Sequence, residues 1–350
     1  MPPISQTSQM IDVNSHWKGP TIAEIARASG VGTATVDRVL NARSSVREST
    51  RSKVLAALTR LGGDLKVRPG GAVRRLAFLC DGGVSYSRAL EAALKEHCMG
   101  RSDIECVFTA IPTYQVEPIK FAQMIERTAE EADGVVLVAR EGLMINRAIR
   151  NLVQKRMPLI CLTTDLPNSG RTAYVGNDQI AAGATAGYLM GQTAGSRAGK
   201  ILLVCSASYR VQEEREMGFR RVLRAEFNHL EVVDRVHSND DSEHSYRSVV
   251  KYIAEHGPPV GIYNTAGGNL GIGRALQESE LGGKVVFIGH ELNSNSRMLM
   301  ESGVMHFSIG HDVEREVALS IEYILAVLDK RPPPALSPTR VRIYTKYSCQ

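Results

Sequence analysis

From residue 74 onward the chain alternates short apolar runs with amphipathic stretches, and few architectures accept that pattern. The apolar runs are "RRLAFLC", "DIECVFTA", "GVVLVA", "PLICLTT" and "AYVG", then "KILLVCS", "EVVDRVH", "PVGIYNT" and "KVVFIGH". Between them, stretches such as "SRALEAALKEHC", "INRAIRNLVQK" and "EREMGFRRVLRAEF" carry apolar residues at helical spacing. Strands that are apolar along both faces need helices above and below them, which is the requirement of parallel α/β sheets. The runs fall into two similar sets. The body, residues 74–350, is therefore expected to form two α/β lobes that hold a ligand at the carboxyl ends of their strands.

The preceding residues follow another pattern. Residues 1–19 are polar and aperiodic and read as a disordered arm. Over residues 20–62 three short helices are predicted. "TIAEIARASG" offers Thr21 as N-cap, Glu24 three positions later as the partner in a capping box, and Ile22, Ile25 and Ala26 as one apolar face, with Gly30 closing the helix. "VGTATVDRVLN" places Val36, Val39 and Leu40 on one side and Thr33, Ala34, Asp37 and Arg38 on the other. A third stretch is expected to bury Val46, Val54, Leu55, Leu58 and Leu61. The unit is a helix-turn-helix. A second helix can enter the major groove of DNA only if its outer side chains are slim and able to reach base edges, as Thr33, Ala34 and Arg38 are. The competing reading is a small helical bundle with solvated Arg and Thr.

Charge separates the two parts. Residues 1–75 hold 12 basic and 5 acidic side chains, a net of +7, and the other 275 hold 30 basic and 32 acidic, a net of −2. A basic head on a near-neutral body suits a polyanionic partner. The six cysteines form no C-x-x-C pair, and they read as reduced core thiols. Without a basic n-region and apolar h-region at the start, or any run of about 18 apolar residues, the expected location is the cytoplasm.

"TIAEIARASGVGTATVDRVLN" resembles the DNA-binding head of the lactose-repressor (LacI) family, whose pattern is T-x-x-[ED]-[IV]-A-x-x-[AS]-G-V-S-x-x-T-V-[SD]-R-V-L-N. The resemblance implies that Thr33, Ala34 and Arg38 read bases, that Thr35 and Asn41 contact phosphates, and that Arg43 and Arg47 join the DNA-facing set. Gly32 stands where the family usually has Ser. A further departure follows the third helix, where the family's Y-x-P-N-x-x-A-R-x-L segment folds on DNA. Here "GGDLKVRPGGAVRR" takes its place. Each interior Gly costs a helix about 1 kcal/mol and an interior Pro about 3 kcal/mol, so residues 63–73 read as a flexible linker.

The body resembles the effector lobes of the same family, which are related to periplasmic sugar-binding proteins. "SASYRVQEEREMGFRRVL" carries an R-x-x-G-F turn in which Arg215 takes the family's ligand-gripping position. The resemblance also implies effector contacts by Asp165, which follows "PLICLTT", and by His311, which replaces a Gln. Tyr86 is placed to stack on a sugar ring. Gly268 replaces an aspartate in "NTAGGNLGIGRAL", and Asn264 and Asn269 are expected to supply that contact. Each residue also has an ordinary reading as a loop or helix-surface residue.

Other signals carry less. "AGSRAGKI" is one residue short of a phosphate loop and leads into a strand, and "GGNLGIG" lacks the G-x-G-x-x-G order. "HSNDDSEHS" has neither i, i+4 histidines nor an ordered metal loop and reads as solvated. No metal, cofactor or catalytic constellation is expected. The pattern implies a DNA-binding regulator, a dimer on double-stranded operator DNA, with repression controlled by a small-molecule effector, a sugar or polyol. The alternative is a cytoplasmic solute sensor without operator binding; an enzyme comes third.

Overall fold

The computed structural model of the protein describes residues 20–40, 46–61 and 73–349. They form two compact units: a helical head, and a body built from Arg74–Met99 and from Ile104 onward. Each is described by itself. The arm over residues 1–19, nearly all of the linker, and Asn41 and Arg43 lie outside the described residues.

In the head, α1 (Ile22–Ser29), α2 (Thr33–Leu40) and α3 (Glu48–Arg60) enclose Ile25, Val36, Val54 and Ala57, all fully buried. The capping box at Thr21 forms. Its hydroxyl accepts from the Glu24 amide at 3.3 Å, and the Glu24 carboxylate accepts from the Thr21 amide at 2.7 Å. Gly30 ends α1 with φ 67°, a left-handed conformation that costs a residue without Cβ almost nothing. The Arg60 guanidinium donates to the Ala28 carbonyl at 3.1 Å and ties α3 to α1. Two expected core residues are exposed instead, Ile22 at 36% and Leu61 at 42%. Both sit at helix ends.

The body is two lobes of parallel sheet. In the first, β1 (Arg74–Gly82), α4 (Val84–Cys98), β2 (Ile104–Pro112), α5 (Pro118–Thr128), β3 (Gly134–Val138), α6 (Leu143–Gln154), β4 (Leu159–Leu162) and β5 (Ala173–Val175) follow one another. Among the described residues the strand order is β2-β1-β3-β4-β5. In the second lobe α7 (Gln179–Ala194), β6 (Gly199–Cys205), α8 (Arg210–Glu226), β7 (Leu230–His237), α9 (Ser242–His256) and β8 (Gly261–Asn264) precede α10 (Asn269–Glu278), β9 (Val286–His290), α11 (Ser294–Glu301) and β10 (Phe307–Gly310). The chain then returns to the first lobe as α12 (Val313–Leu328) and ends the second sheet with β11 (Arg342–Tyr344). The second sheet runs β11-β10-β9-β8-β6-β7. β11 departs from the all-parallel expectation, since Ile343 pairs antiparallel with Ile309.

Residue alternation explains why the central strands of both sheets are apolar on both faces. On β1, Leu76, Phe78 and Cys80 pack against α4 and α12 through Leu90, Val317 and Ile321. Ala77 and Leu79 point the other way, against Phe121 and Ile125 of α5 and Ile149 of α6. The second sheet repeats the arrangement, with Leu202 and Val204 on one face and Ile201 and Leu203 on the other. Three segments cross between the lobes: after β5, after β10 and after α12. Two of them touch where Asn177 bridges Thr339.

Candidate functional site

The first candidate surface is α2 of the head. Burial of Val36 and Val39 against the core turns Thr33, Ala34 and Arg38 outward, and Thr35 is half-buried. Arg47, the residue before α3, is also exposed. The helix thus presents short polar side chains and one long cation on a single face, with the backbone anchored by the Val31 amide bonded to the Ala26 carbonyl at 3.2 Å.

The second site is a cleft of about 270 Å³ between the body's lobes, lined by the ends of strands from both sheets. Asp81 at the end of β1 is 1% exposed. Its carboxylate accepts from Arg140 Nε at 2.7 Å and from the Tyr209 hydroxyl at 2.5 Å. Burial pushes the Asp81 carboxyl up, while Tyr209 and Arg140 pull it down. Tyr209 belongs to the opposite lobe, so this contact spans the cleft. Thr113 does the same in reverse: its hydroxyl donates to Asp240 at 2.8 Å and lies 3.0 Å from the Tyr209 hydroxyl. Asp240 also accepts from Ser206 Oγ at 3.0 Å and from the Gly267 amide at 2.7 Å.

Arg215 on α8 reaches the cleft from the second lobe. Its Nε donates to Gln179 at 2.9 Å and its Nη1 to the Thr265 carbonyl at 2.8 Å. Burial pushes this guanidinium down from its ordinary value. A backbone contact sets its place. A Cβ on Gly183 of α7 would lie 1.8 Å from the Arg215 carbonyl oxygen, and one on Gly218 of α8 would lie 2.0 Å from that of Ile180. The helices therefore meet backbone to backbone, at a distance that only glycine permits. Glu291, after β9, lines the same cleft, and its carboxyl is pushed up by burial against the pull of Arg215.

Three non-glycine lining residues hold left-handed backbone: Thr163 at φ 61°, Asp240 at 55° and Glu291 at 70°. Each such conformation costs on the order of 1–3 kcal/mol, and a β-branched Thr stands at the costly end. Strain of this kind concentrates where geometry serves a ligand rather than the fold.

Of the residues expected to bind an effector, Arg215 and Tyr86 line the cleft. The Tyr86 hydroxyl is 2.6 Å from Thr163 Oγ1. Asp165, Asn264, Asn269 and His311 stand behind the lining and are committed elsewhere. The Asp165 carboxylate holds the Arg171 guanidinium through both oxygens. Asn264 donates to Asn269 Oδ1 at 2.7 Å, and Asn269 donates to the His290 carbonyl at 2.9 Å, which shapes the Thr265–Gly268 loop from within. His311 Nδ1 lies 2.9 Å from the Glu316 carboxylate. Asp81, Tyr209, Asp240 and Glu291 were not foreseen. Asp81 lies at the end of an apolar strand and Glu291 directly follows one, the position where ligands meet open α/β sheets, and that signal could have found them. Asp240 sits in the acidic loop read as solvated.

Comparison with known proteins places both parts. Residues 21–62 match the model of bacterial regulatory proteins of the lacI family, and residues 82–332 match the periplasmic binding protein domain. The chain belongs to the periplasmic binding protein domain family and carries a lacI-family domain as its head. Two catabolite control protein A sequences, from Streptococcus mutans serotype c and Priestia megaterium, are each 46% identical to this chain over 57 residues. That stretch spans 16% of this chain and 16% of either relative. The fold is shared with GanP, a glucose-galactose binding protein from Geobacillus stearothermophilus, at a TM-score of 0.70, 17% identity and coverage of 79% of this chain and 98% of that one. It is likewise shared with a solute binding protein from Burkholderia graminis in complex with D-arabinose, at a TM-score of 0.73, 17% identity and coverage of 80% and 98%. Among the described residues no helix is long and apolar enough to cross a membrane.

Proposed function

We propose that this protein is a cytoplasmic, dimeric transcriptional repressor whose operator affinity is set by a small uncharged polyhydroxy compound, a sugar or polyol, held between the lobes. Thr33, Ala34 and Arg38 read base edges, and Thr35, Asn41, Arg43 and Arg47 serve the phosphates. The observation that carries the reading is the pairing, in one chain, of an outward-facing second helix with a cleft whose two walls already touch through Tyr209–Asp81 and Thr113–Asp240. A ligand that prefers one lobe arrangement by about 1–3 kcal/mol is enough to couple the cleft to a second site.

The lining supports the ligand class. Four carboxyls line the cleft, Asp81, Asp240, Asp241 and Glu291, against the one lining guanidinium of Arg215, with Arg140 held on Asp81 behind them, so a phosphorylated ligand meets net repulsion. Hydroxyl groups can accept from Arg215 and donate to Glu291 at once. The cleft of about 270 Å³ sits just under the range of roughly 300–1,000 Å³ usual for small-molecule sites, which favours a compact ligand.

The test is an anisotropy titration of the full chain with duplex DNA selected from a random pool, repeated across salt and with a panel of neutral sugars, polyols and their phosphates. Affinity should fall steeply with salt, with a log–log slope of about −0.9 per phosphate contacted, and at least one neutral compound should shift it. Salt-insensitive or absent duplex binding would refute the regulator, and a response confined to phosphorylated compounds would refute the ligand class.

A further inference from the structure

All six cysteines are thiols, but they are not alike. Cys80, Cys161, Cys205 and Cys349 are buried, whereas Cys98 and Cys106 are only half-buried. Burial pushes the Cys80 and Cys161 thiols up to about 12 and the Cys205 thiol to about 11, which keeps them protonated and shielded from oxidants. Cys98 is the last residue of α4, and Cys106 stands on β2, the edge strand of its sheet, opposite Leu76. Their Sγ atoms are 2.9 Å apart, a short approach from the disulfide bond length of about 2.04 Å.

We propose that Cys98 and Cys106 form a reversible thiol-oxidation site that reacts with hydroperoxides and closes to an intramolecular disulfide. In the first step the thiolate of one cysteine attacks a peroxide oxygen. The O–O bond breaks, the leaving oxygen departs as water after taking a proton, and a sulfenic acid remains. In the second step the neighbouring sulfur attacks the sulfenic sulfur, the S–O bond breaks, the S–S bond forms and a second water leaves. Two thiols and one hydrogen peroxide thus give one disulfide and two waters, with the two sulfurs supplying both electrons. A small thiol reductant reverses the reaction by exchange. The geometry favours the second step, because the resolving sulfur is already in contact and pays no loop-closure cost. The new bond would fasten the far end of α4, the helix whose first turn carries Tyr86 to the cleft, to the sheet edge.

The test uses the full-length protein, exposed to a hydrogen peroxide titration, quenched with N-ethylmaleimide and digested with trypsin under non-reducing conditions. The expected product joins "EHCMGR" to "SDIECVFTAIPTYQVEPIK" with the loss of two hydrogens, the alkylatable thiols fall from six to four, and dithiothreitol restores all six. Cys98→Ser should leave Cys106 unable to close the bond and trappable as a sulfenic acid by dimedone. The proposal is overturned if all six thiols survive peroxide that oxidises N-acetylcysteine, if the disulfides that form join other cysteines or separate chains, or if Cys98→Ser loses thiols as the wild type does.

Discussion

The Tyr209 hydroxyl donates to Asp81 Oδ1 at 2.5 Å, so a residue that opens α8 in one lobe is fastened to the end of β1 in the other. Asp81 is buried and draws part of its stabilisation from a group on the opposite wall of the cleft. Tyr209→Phe removes the donor and keeps the ring. The lost bond to a charged group is worth about 1.5–3 kcal/mol in the closed form, so the variant should unfold at lower temperature and scatter X-rays as a more open particle. An unchanged radius of gyration and melting temperature would count against a latch.

Arg215→Met keeps most of the stem and removes the guanidinium, leaving Gln179 Oε1 and the Thr265 carbonyl without their donor. We expect DNA affinity to persist while every ligand-induced thermal shift seen with the wild-type chain disappears. A normal ligand titration would remove Arg215 from the pocket.

Gly183→Ala tests the backbone contact behind that arginine. The new Cβ would meet the Arg215 carbonyl oxygen at 1.8 Å, and neither backbone has a side chain to swing away. Overpacking usually costs 1–3 kcal/mol, and this contact should reach about 3 kcal/mol by chemical denaturation, with loss of ligand-induced stabilisation. A near-neutral result would mean that α7 and α8 separate easily.

His311 supplies a pH dependence. Glu316 pulls its imidazole above the ordinary value against burial, and Arg215, Glu291 and the Tyr86 ring also face it. A raised folded-state pKa means that the contribution is complete below the unfolded value of about 6.5 and fades as pH rises through the folded one. The melting-temperature advantage of wild type over His311→Gln should therefore be largest near about pH 6 and shrink toward about pH 9. A gap that widens with pH would reverse the assignment.

Arg38→Ala should abolish discrimination between selected and random duplex while leaving salt-dependent association largely intact, because the side chain projects from the exposed face of α2. Equal loss on both duplexes would make Arg38 a phosphate contact.

Much of this architecture was legible because short apolar runs, recurring between longer amphipathic stretches, mark buried parallel strands by their length and spacing. "RRLAFLC" and "KILLVCS" are apolar on both faces, and the capping box at Thr21 and Glu24 announced α1 to the residue. β11 was less legible: "VRIYTK" has one short exposed alternation, and its pairing with β10 depends on a chain return that local pattern does not encode. The cleft was half legible. Arg215 followed from its turn motif, but Asp165 next to an apolar strand looks the same in sequence whether it meets a ligand or Arg171. Asp240 was missed because its polarity is visible in the chain, while Thr113, 127 residues away, is what gives that polarity a purpose. The cysteines were read as one class, since exposure of Cys98 and Cys106 arises at a helix end and a sheet edge rather than from composition.

Three separate strands of chain pass between the lobes, and two of them lie side by side at Asn177 and Thr339. Such a joint resists twisting and sliding far more than it resists swinging, so any parting of the two halves is confined to nearly one path. A molecule entering from solvent then finds the same wall-to-wall registry at every closure, and selectivity can be built from small differences in shape without any need for a tight grip.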